Sequence, residues 1–308
     1  MSRVMTAALV GVDGAPVEVE VRLSSQLPRV DIVGLAEAAV RESAARVRGA
    51  IAAAGLRFPD RRVTVNLAPA GLRKSGAGLD LPIAVGILAA AGEIEAVRLD
   101  GLGFVGELAL DGRLRPLRGA LALALALREA GCSRAVMPAA SAAEGALAPG
   151  LEVFAAATLH DVLAHLRDVT PLDVALPLAV APSGPLPDLA EVHGQETGKR
   201  ALLVAAAGGH ALLFIGPPGA GKTMLARRLP ALLPPLSFDE ALDVTRIHGA
   251  AGRTGDAGGL VSVRPFRAPH HAASPAGILG GGNPPHPGEV SLAHGGVLFL
   301  DELPEFER

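Results

Sequence analysis

The segment Ala211-Leu-Leu-Phe-Ile-Gly216-Pro-Pro-Gly-Ala-Gly-Lys222-Thr223 decides the fold of the C-terminal part of the chain. Five apolar residues run into glycine, as buried parallel strands do. A helical stretch over 225–233 follows, interrupted near Pro230. Strand, glycine-rich loop and helix form the context in which the pattern G-x-x-x-x-G-K-[ST] cradles phosphate. Gly216, Gly219 and Gly221 let the backbone close around an anion, with Pro217, Pro218 and Ala220 completing the loop, so that successive N–H groups face it. Lys222 is then expected to reach the β- and γ-phosphates of ATP, and the Thr223 hydroxyl to ligate Mg²⁺.

Downstream, Val297-Leu-Phe-Leu300 runs directly into Asp301-Glu302. The spacing predicts a second buried strand that delivers Asp301 as a metal-side carboxylate and Glu302 as the base that polarises an attacking water. Hydrophobic strands often end in acids, so the pair alone says little. With a phosphate loop on the same chain it becomes a Walker B candidate, and together they indicate ATP hydrolysis.

Composition narrows the rest. The chain has 308 residues, enough for about two domains, with 50% hydrophobic and 19% charged residues and a formal net charge of -3. A strongly basic coat is therefore excluded and any basic surface must be local. Mean hydropathy is +0.39, yet the longest apolar stretch, 201–216, carries Gly208, Gly209 and His210 in its middle and is too short to cross a bilayer. The N-terminus opens on an alternating segment without a secretory signal, so a soluble, cytoplasmic protein with no membrane partner is expected. Cys132 is the single cysteine, which removes disulfides and cysteine-based zinc sites. Without Trp or Tyr and with 8 Phe, an aromatic platform for single strands is hard to build.

Before the phosphate loop, Val17-Glu-Val-Glu-Val-Arg-Leu23 alternates with a period of two and predicts a half-buried strand behind a turn at Asp13-Gly14. Helical spacing over 36–54 ends at Gly55, and Arg62-Val-Thr-Val-Asn-Leu67 is a further strand. Helices over 81–91, 119–130 and 159–167 alternate with strands over 102–108 and 135–137, an α/β or α+β pattern. Pro171, Pro177, Pro182, Pro185 and Pro187 then fall within seventeen residues and predict an extended linker. The domains are therefore 1–168, a proline-rich linker over 169–188, and 189–308, the last beginning with a helix over 196–208.

Several segments together resemble one family: Asp31-Ile-Val-Gly-Leu35 with Val40-Arg-Glu-Ser43, Val63-Thr-Val-Asn-Leu-Ala-Pro69, Arg264-Pro-Phe-Arg-Ala-Pro-His-His271, and 287–306 around the Walker B candidate. They are similar to the ComM/YifB family of magnesium-chelatase-like AAA+ ATPases. The resemblance implies an α/β chain in which a ribosomal S5 domain 2-like (Lon-like) α+β domain precedes a partial P-loop AAA+ α/β domain. It also implies a homo-hexamer, ATP and Mg²⁺ as cofactors, and action on single-stranded or branched DNA, as branch migration or unwinding in natural transformation and recombination. Gln195 matches the family's nucleotide-proximal segment; surface capping explains it equally well.

The Lon-like likeness invites a protease reading, which the residues oppose. Ser75 is displaced in the loop 74–80, and the helix from 119 to 127 offers only Gly, Ala and Leu where an amine must activate the serine. The family places a sensor residue, an arginine finger and a helical lid downstream of Arg308, so this chain is expected to bind ATP with little turnover.

Between residues 41 and 74, eight basic residues face two acidic ones. Arg41, Arg46, Arg48, Arg61, Arg62 and Lys74 are the candidate phosphate contacts to DNA; a solvated helix face accounts for the same charges. His270 and His271 lack a third ligand for a zinc site, and contacts to DNA or a neighbouring subunit suit them better. Two further readings stay open: the ATPase subunit of a magnesium chelatase, and a nucleotide-binding remnant without motor activity.

Overall fold

The computed structural model describes residues 1–74, 76, 78–177, 186–253, 259–282 and 285–306. Two compact units emerge: Met1–Leu178 with His248–Gly259, and Ala179–Ile247 with Leu260–Arg308. Ser75 lies outside the described residues.

The first unit is mixed α/β. In chain order it comprises β1 (Ser2–Val10), β2 (Asp13–Ser24), β3 (Arg29–Val33), α1 (Ala38–Arg41), α2 (Ser43–Ala53), β4 (Arg62–Ala68), α3 (Asp80–Ala91), β5 (Leu102–Phe104), β6 (Glu107–Leu108), β7 (Leu114–Arg115), α4 (Ala120–Glu129), β8 (Arg134–Pro138), α5 (Ala139–Gly145), β9 (Glu152–Ala156), α6 (Leu159–Leu166) and β10 (Asp173–Val174). Among the described residues one eight-stranded sheet runs β10-β9-β8-β5-β1-β2-β4-β3. β1, β2 and β4 are antiparallel neighbours, while β1–β5, β5–β8, β8–β9 and β3–β4 pair in parallel.

Alternation sets which face is buried. Val17, Val19 and Val21 on β2 and Val63, Val65 and Leu67 on β4 are fully buried, and the register places Val19 opposite Leu67 and Val21 opposite Val65. Helix α3 packs on this face, where a Cβ at Gly86 would stand 2.8 Å from a Val21 methyl. Helix α4 packs against the opposite parity of the same hairpin: a Cβ at Gly14 would meet the Ala122 carbonyl oxygen at 2.3 Å. Gly14 therefore serves close packing, and the expected turn at Asp13-Gly14 is corrected. Asp13 already pairs with Val10, and the two-residue connection is Gly11-Val12, with Gly11 taking the left-handed φ of +64 that such a turn requires.

Two further differences concern strands. The stretch expected to be linker contributes β10, which pairs antiparallel with β9 before the undescribed residues 178–185 begin. Helix α5 and strand β9 are additions to the expected elements, because their alanine-rich sequences carry no period to read.

One buried charge stands inside this unit. Asp80, in the first turn of α3, is fully buried and accepts from Ser43 Oγ (2.5 Å), Arg46 Nε (2.6 Å), Arg46 Nη2 (3.0 Å) and the Leu108 amide (3.2 Å). Its hydrogen bond holds the Arg46 guanidinium above its ordinary pKa, against the opposing pull of burial. α2, α3 and β6 are thus tied at one carboxylate.

The network and the helix α6 edge each yield a prediction. Arg46→Met strands Asp80 without its countercharge, and chemical denaturation should show a loss of about 3 kcal/mol; adding Asp80→Asn should restore part of it. At the sheet edge, the Leu172 amide donates to His165 Nδ1 at 3.1 Å, and the ring packs on Phe154 at 4.8 Å. Burial first, then the charge of Arg134, pushes the His165 pKa down. Between that lowered value and the ordinary one near 6.5 the unfolded chain binds more protons, so stability is lost as pH falls through this window. His165→Asn should flatten this part of the stability profile.

Candidate functional site

The second unit is built from α7 (Glu196–Gly208), α8 (Lys222–Ala226), α9 (Leu229–Leu232), α10 (Phe238–Ala250, up to Ile247), β11 (Phe266–Arg267), α11 (Pro275–Leu279), β12 (Gly280–Gly281), β13 (His286–Pro287), α12 (Glu289–Leu292) and β14 (Val297–Leu298). β11 and β14 pair in parallel, Phe266 with Val297 and Arg267 with Leu298. The Phe299 amide continues the pairing by donating to the Arg267 carbonyl at 2.8 Å, and the Phe266 and Phe299 rings stack at 6.0 Å. This short ladder carries the chain to Asp301.

The expected strand over 211–215 is corrected. No ladder forms along it among the described residues, and Leu213 and Ile215 are 67% and 89% exposed. A strand is made by its neighbours' hydrogen bonds, and apolarity alone does not supply them.

Of the expected strand–loop–helix junction, the glycine-rich loop and the helix form. α8 begins at Lys222 itself, behind Gly219 and Gly221 at φ of +78 and +82. Both are left-handed positions that glycine takes without steric cost. A Cβ at Gly198 would crowd Leu225 at 2.8 Å, so α7 approaches α8 closely. Gln195, at the start of α7, donates from Nε2 to the Ala220 carbonyl at 3.1 Å and thus touches the loop directly. Arg228 ties the loop's helix to the segment before α7, donating to the Asp188 carbonyl at 2.8 Å and to Glu191 at 2.9 Å.

At the centre, Thr223 Oγ1 donates to Asp301 Oδ2 at 2.9 Å, joining residues 78 positions apart. Lys222 Nζ folds back onto its own loop, on the carbonyls of Gly216 (2.8 Å) and Pro217 (3.0 Å). Those acceptors are neutral, and a phosphate adds the attraction of opposite charge to the same N–H donors. Asp301 Oδ1 also receives the Glu302 amide at 3.1 Å. One ammonium, one hydroxyl, one carboxylate and a glycine-rich loop ahead of a helix fit a magnesium-bearing nucleotide, whose own phosphates fill most of the cation's shell. Gly216, Pro217, Pro218, Gly219, Ala220, Gly221, Lys222 and Thr223 would hold the phosphates, with Thr223 and Asp301 on the metal side.

Support for the β11–β14 ladder comes from Arg267, which clamps Glu289 through Nε (2.5 Å) and Nη2 (2.7 Å). That pairing holds its pKa above the ordinary arginine value. Arg264 reaches the Pro234 carbonyl (2.5 Å), the Gly295 carbonyl (2.6 Å) and Glu240 (3.2 Å). Each joins segments that spacing alone leaves unrelated.

The two histidines diverge. His270 Nδ1 accepts from the Ala272 amide at 3.1 Å, whereas His271 Nδ1 lies 2.9 Å from Glu302 Oε2. Among the described residues no group of three or more potential ligands gathers for a metal. The His271–Glu302 pairing is invisible in the sequence, where nothing in the spacing links positions 31 apart.

The candidate DNA residues do not form one free patch. Lys74 is fully buried, with Nζ on the carbonyls of Leu67 (2.9 Å) and Pro69, and burial pushes its pKa down. Its place in a surface patch is therefore corrected: the ammonium satisfies interior carbonyls and no phosphate can reach it. Arg46 is committed to Asp80, and Arg62 to Asp31 (2.9 Å) and Gln26 (2.7 Å). Arg41, Arg48 and Arg61 are exposed, Arg48 lying 4.6 Å over the Phe58 ring. Cys132 is buried, and burial raises its pKa. No helix among the described residues is long and apolar enough to cross a membrane.

Comparison with known proteins identifies two family matches and several relatives. Residues 188–308 match the family described as magnesium chelatase, subunit ChlI, and residues 19–141 the family described as subunit ChlI of Mg-chelatase. The chain is similar to the YifB protein of Salmonella typhimurium, 47% identical over 305 residues, covering 99% of this chain and 60% of that one. It is 46% identical to the YifB protein of Escherichia coli over 308 residues, covering 100% and 60%. It is 44% identical to the competence protein ComM of Haemophilus influenzae over 310 residues, covering 99% and 60%. The chain thus spans about 60% of the length of these relatives.

Proposed function

Because this chain belongs to the magnesium-chelatase-like family of the YifB and ComM proteins, we propose that it is the nucleotide-binding part of an ATP-driven machine that acts on DNA. In this reading the first unit is of the ribosomal S5 domain 2-like, Lon-like type and the second is a P-loop AAA+ module that works in a hexameric ring. The observation that carries it is the 2.9 Å hydrogen bond between Thr223 and Asp301 beside Lys222. The competence protein from Haemophilus supports the DNA side.

The residues divide the work by charge. Lys222 exchanges two neutral carbonyls for phosphate oxygens, and the amides of the loop from 216 to 223 bind the same anion. Thr223 and Asp301 orient the cation, and Gln195 steadies the loop through Ala220. Bound Mg²⁺ supplies charge neutralisation at the phosphates. Glu302, next to Asp301, polarises the attacking water. Arg41, Arg48 and Arg61 are the exposed members of the candidate DNA-binding set.

A second reading keeps one observation in its favour. Both family matches are described by the chelatase subunit ChlI, including the one within the first unit, so that unit does not by itself exclude a metal-inserting partner. DNA separates the readings, since a chelatase subunit has no reason to turn over faster in its presence.

Titration calorimetry should detect MgATP binding by this chain. Lys222→Ala should weaken it at least tenfold, about 1.4 kcal/mol, as expected for removal of a hydrogen bond to a charged group. An equal affinity in the variant sinks the phosphate-loop reading. Duplex binding should weaken with salt, and the triple change Arg41→Ala, Arg48→Ala, Arg61→Ala should reduce the log–log slope by about 0.9 for each arginine that neutralises a phosphate. Lys74→Met, by contrast, should leave that slope where it was.

A further inference from the structure

We propose that His271 is the positioning residue for Glu302, holding its carboxylate through a proton on Nδ1, and that the adjacent His270 carries the opposite tautomer. The proposal rests on the ATP-hydrolysis reading of Glu302 and extends it to a residue that spacing does not connect with the site.

Hydrogen bonding assigns both tautomers. Neutral imidazole donates from one nitrogen and accepts at the other, and which is which follows from its partners. His270 Nδ1 receives the Ala272 amide at 3.1 Å, so its own proton belongs on Nε2. His271 Nδ1 faces Glu302 Oε2 at 2.9 Å, and a carboxylate only accepts, so this nitrogen must donate. The two rings touch, with centroids 4.1 Å apart and planes at 38°, yet they face different partners.

Glu302 has reason to need such a hold. Its backbone sits at φ +53, a left-handed conformation that a non-glycine residue keeps only where its surroundings impose it. Its side chain is 64% exposed, so packing does not fix the carboxylate. Its amide is already engaged by Asp301 Oδ1 at 3.1 Å, which orients the backbone and leaves the side chain to His271. One carboxylate oxygen is then taken by His271 and the other stays available to a water molecule. Asp301, in turn, keeps its remaining oxygen on Thr223. The two acids of the pair are thus held by different partners, one for the cation and one for the water.

The test reads the proton first and turnover second. Long-range proton–nitrogen NMR on the histidine-labelled chain, without nucleotide and in alkaline buffer, should show His271 protonated at Nδ1 and His270 at Nε2. Glu302→Ala should return His271 to the Nε2 form while His270 keeps its pattern. Radiolabelled ATP hydrolysis with protein in excess should slow about tenfold in His271→Ala, with the MgATP affinity unchanged. The Asn amide occupies the place of Nδ1 and the Gln amide the place of Nε2, so His271→Asn should recover most of the rate and His271→Gln should not. An Nε2-protonated His271 in the unaltered chain overturns the proposal, as do Asn and Gln variants of equal rate. Failure of the parent chain to bind MgATP removes the hydrolysis reading instead, and the NMR arm still decides the His271–Glu302 pairing.

Discussion

A hydrogen bond between a hydroxyl and a carboxylate, Thr223 to Asp301, closes an excursion of 78 residues whose two ends lie in the second unit. The entropic cost of bringing such distant positions together grows only slowly with length, but one neutral-to-charged hydrogen bond contributes only about 1.5–3 kcal/mol. The closure therefore depends on the elements behind it. The β11–β14 ladder brings residues 266–267 alongside 297–298, the Phe266–Phe299 stack fills the space beside it, and the Arg267–Glu289 clamp braces the same strand from α12. Remove the parallel ladder and Asp301 has no fixed place relative to the glycine-rich loop.

In the first unit the comparable constraint is the buried carboxylate of Asp80. A fully buried acid is tolerated where every oxygen is engaged and a countercharge is present, and Ser43, Arg46 and the Leu108 amide meet that condition. The consequence reaches function by subtraction: Arg46 and Lys74, two members of the local excess of basic residues, are spent on interior acceptors. Net charge along a stretch of sequence counts ammonium and guanidinium groups without regard to where they point.

Much of this architecture is legible as pattern. The period of two in 17–23 and 62–67 marks the central strands, because alternate positions face the α3 side and its absence of water. The glycine-rich octet marks a loop that opens a helix, although that helix begins at Lys222, ahead of the helical spacing from 225. Other parts are not legible. Asp13-Gly14 has the composition of a hairpin turn, yet Gly14 is small because α4 passes within van der Waals distance, and the turn belongs to Gly11. The run 211–215 has the composition of a buried strand but no hydrogen-bonded neighbour among the described residues, and burial is a property of the neighbour as much as of the run.

From the sequence alone came the glycine-rich octet ahead of a helix, the acidic pair at 301 and 302, the alternation of strands and helices in the first unit, and the family. All of these are local: a few adjacent side chains, a glycine at a required φ, or a repeat whose period equals that of the backbone. Tertiary structure alone decided which cations remain on the surface, that His271 meets Glu302 while His270 does not, and that Thr223 meets Asp301. Those pairings join residues 31 or more positions apart. Their geometry is set by packing and ladder register, which no short stretch of residues encodes.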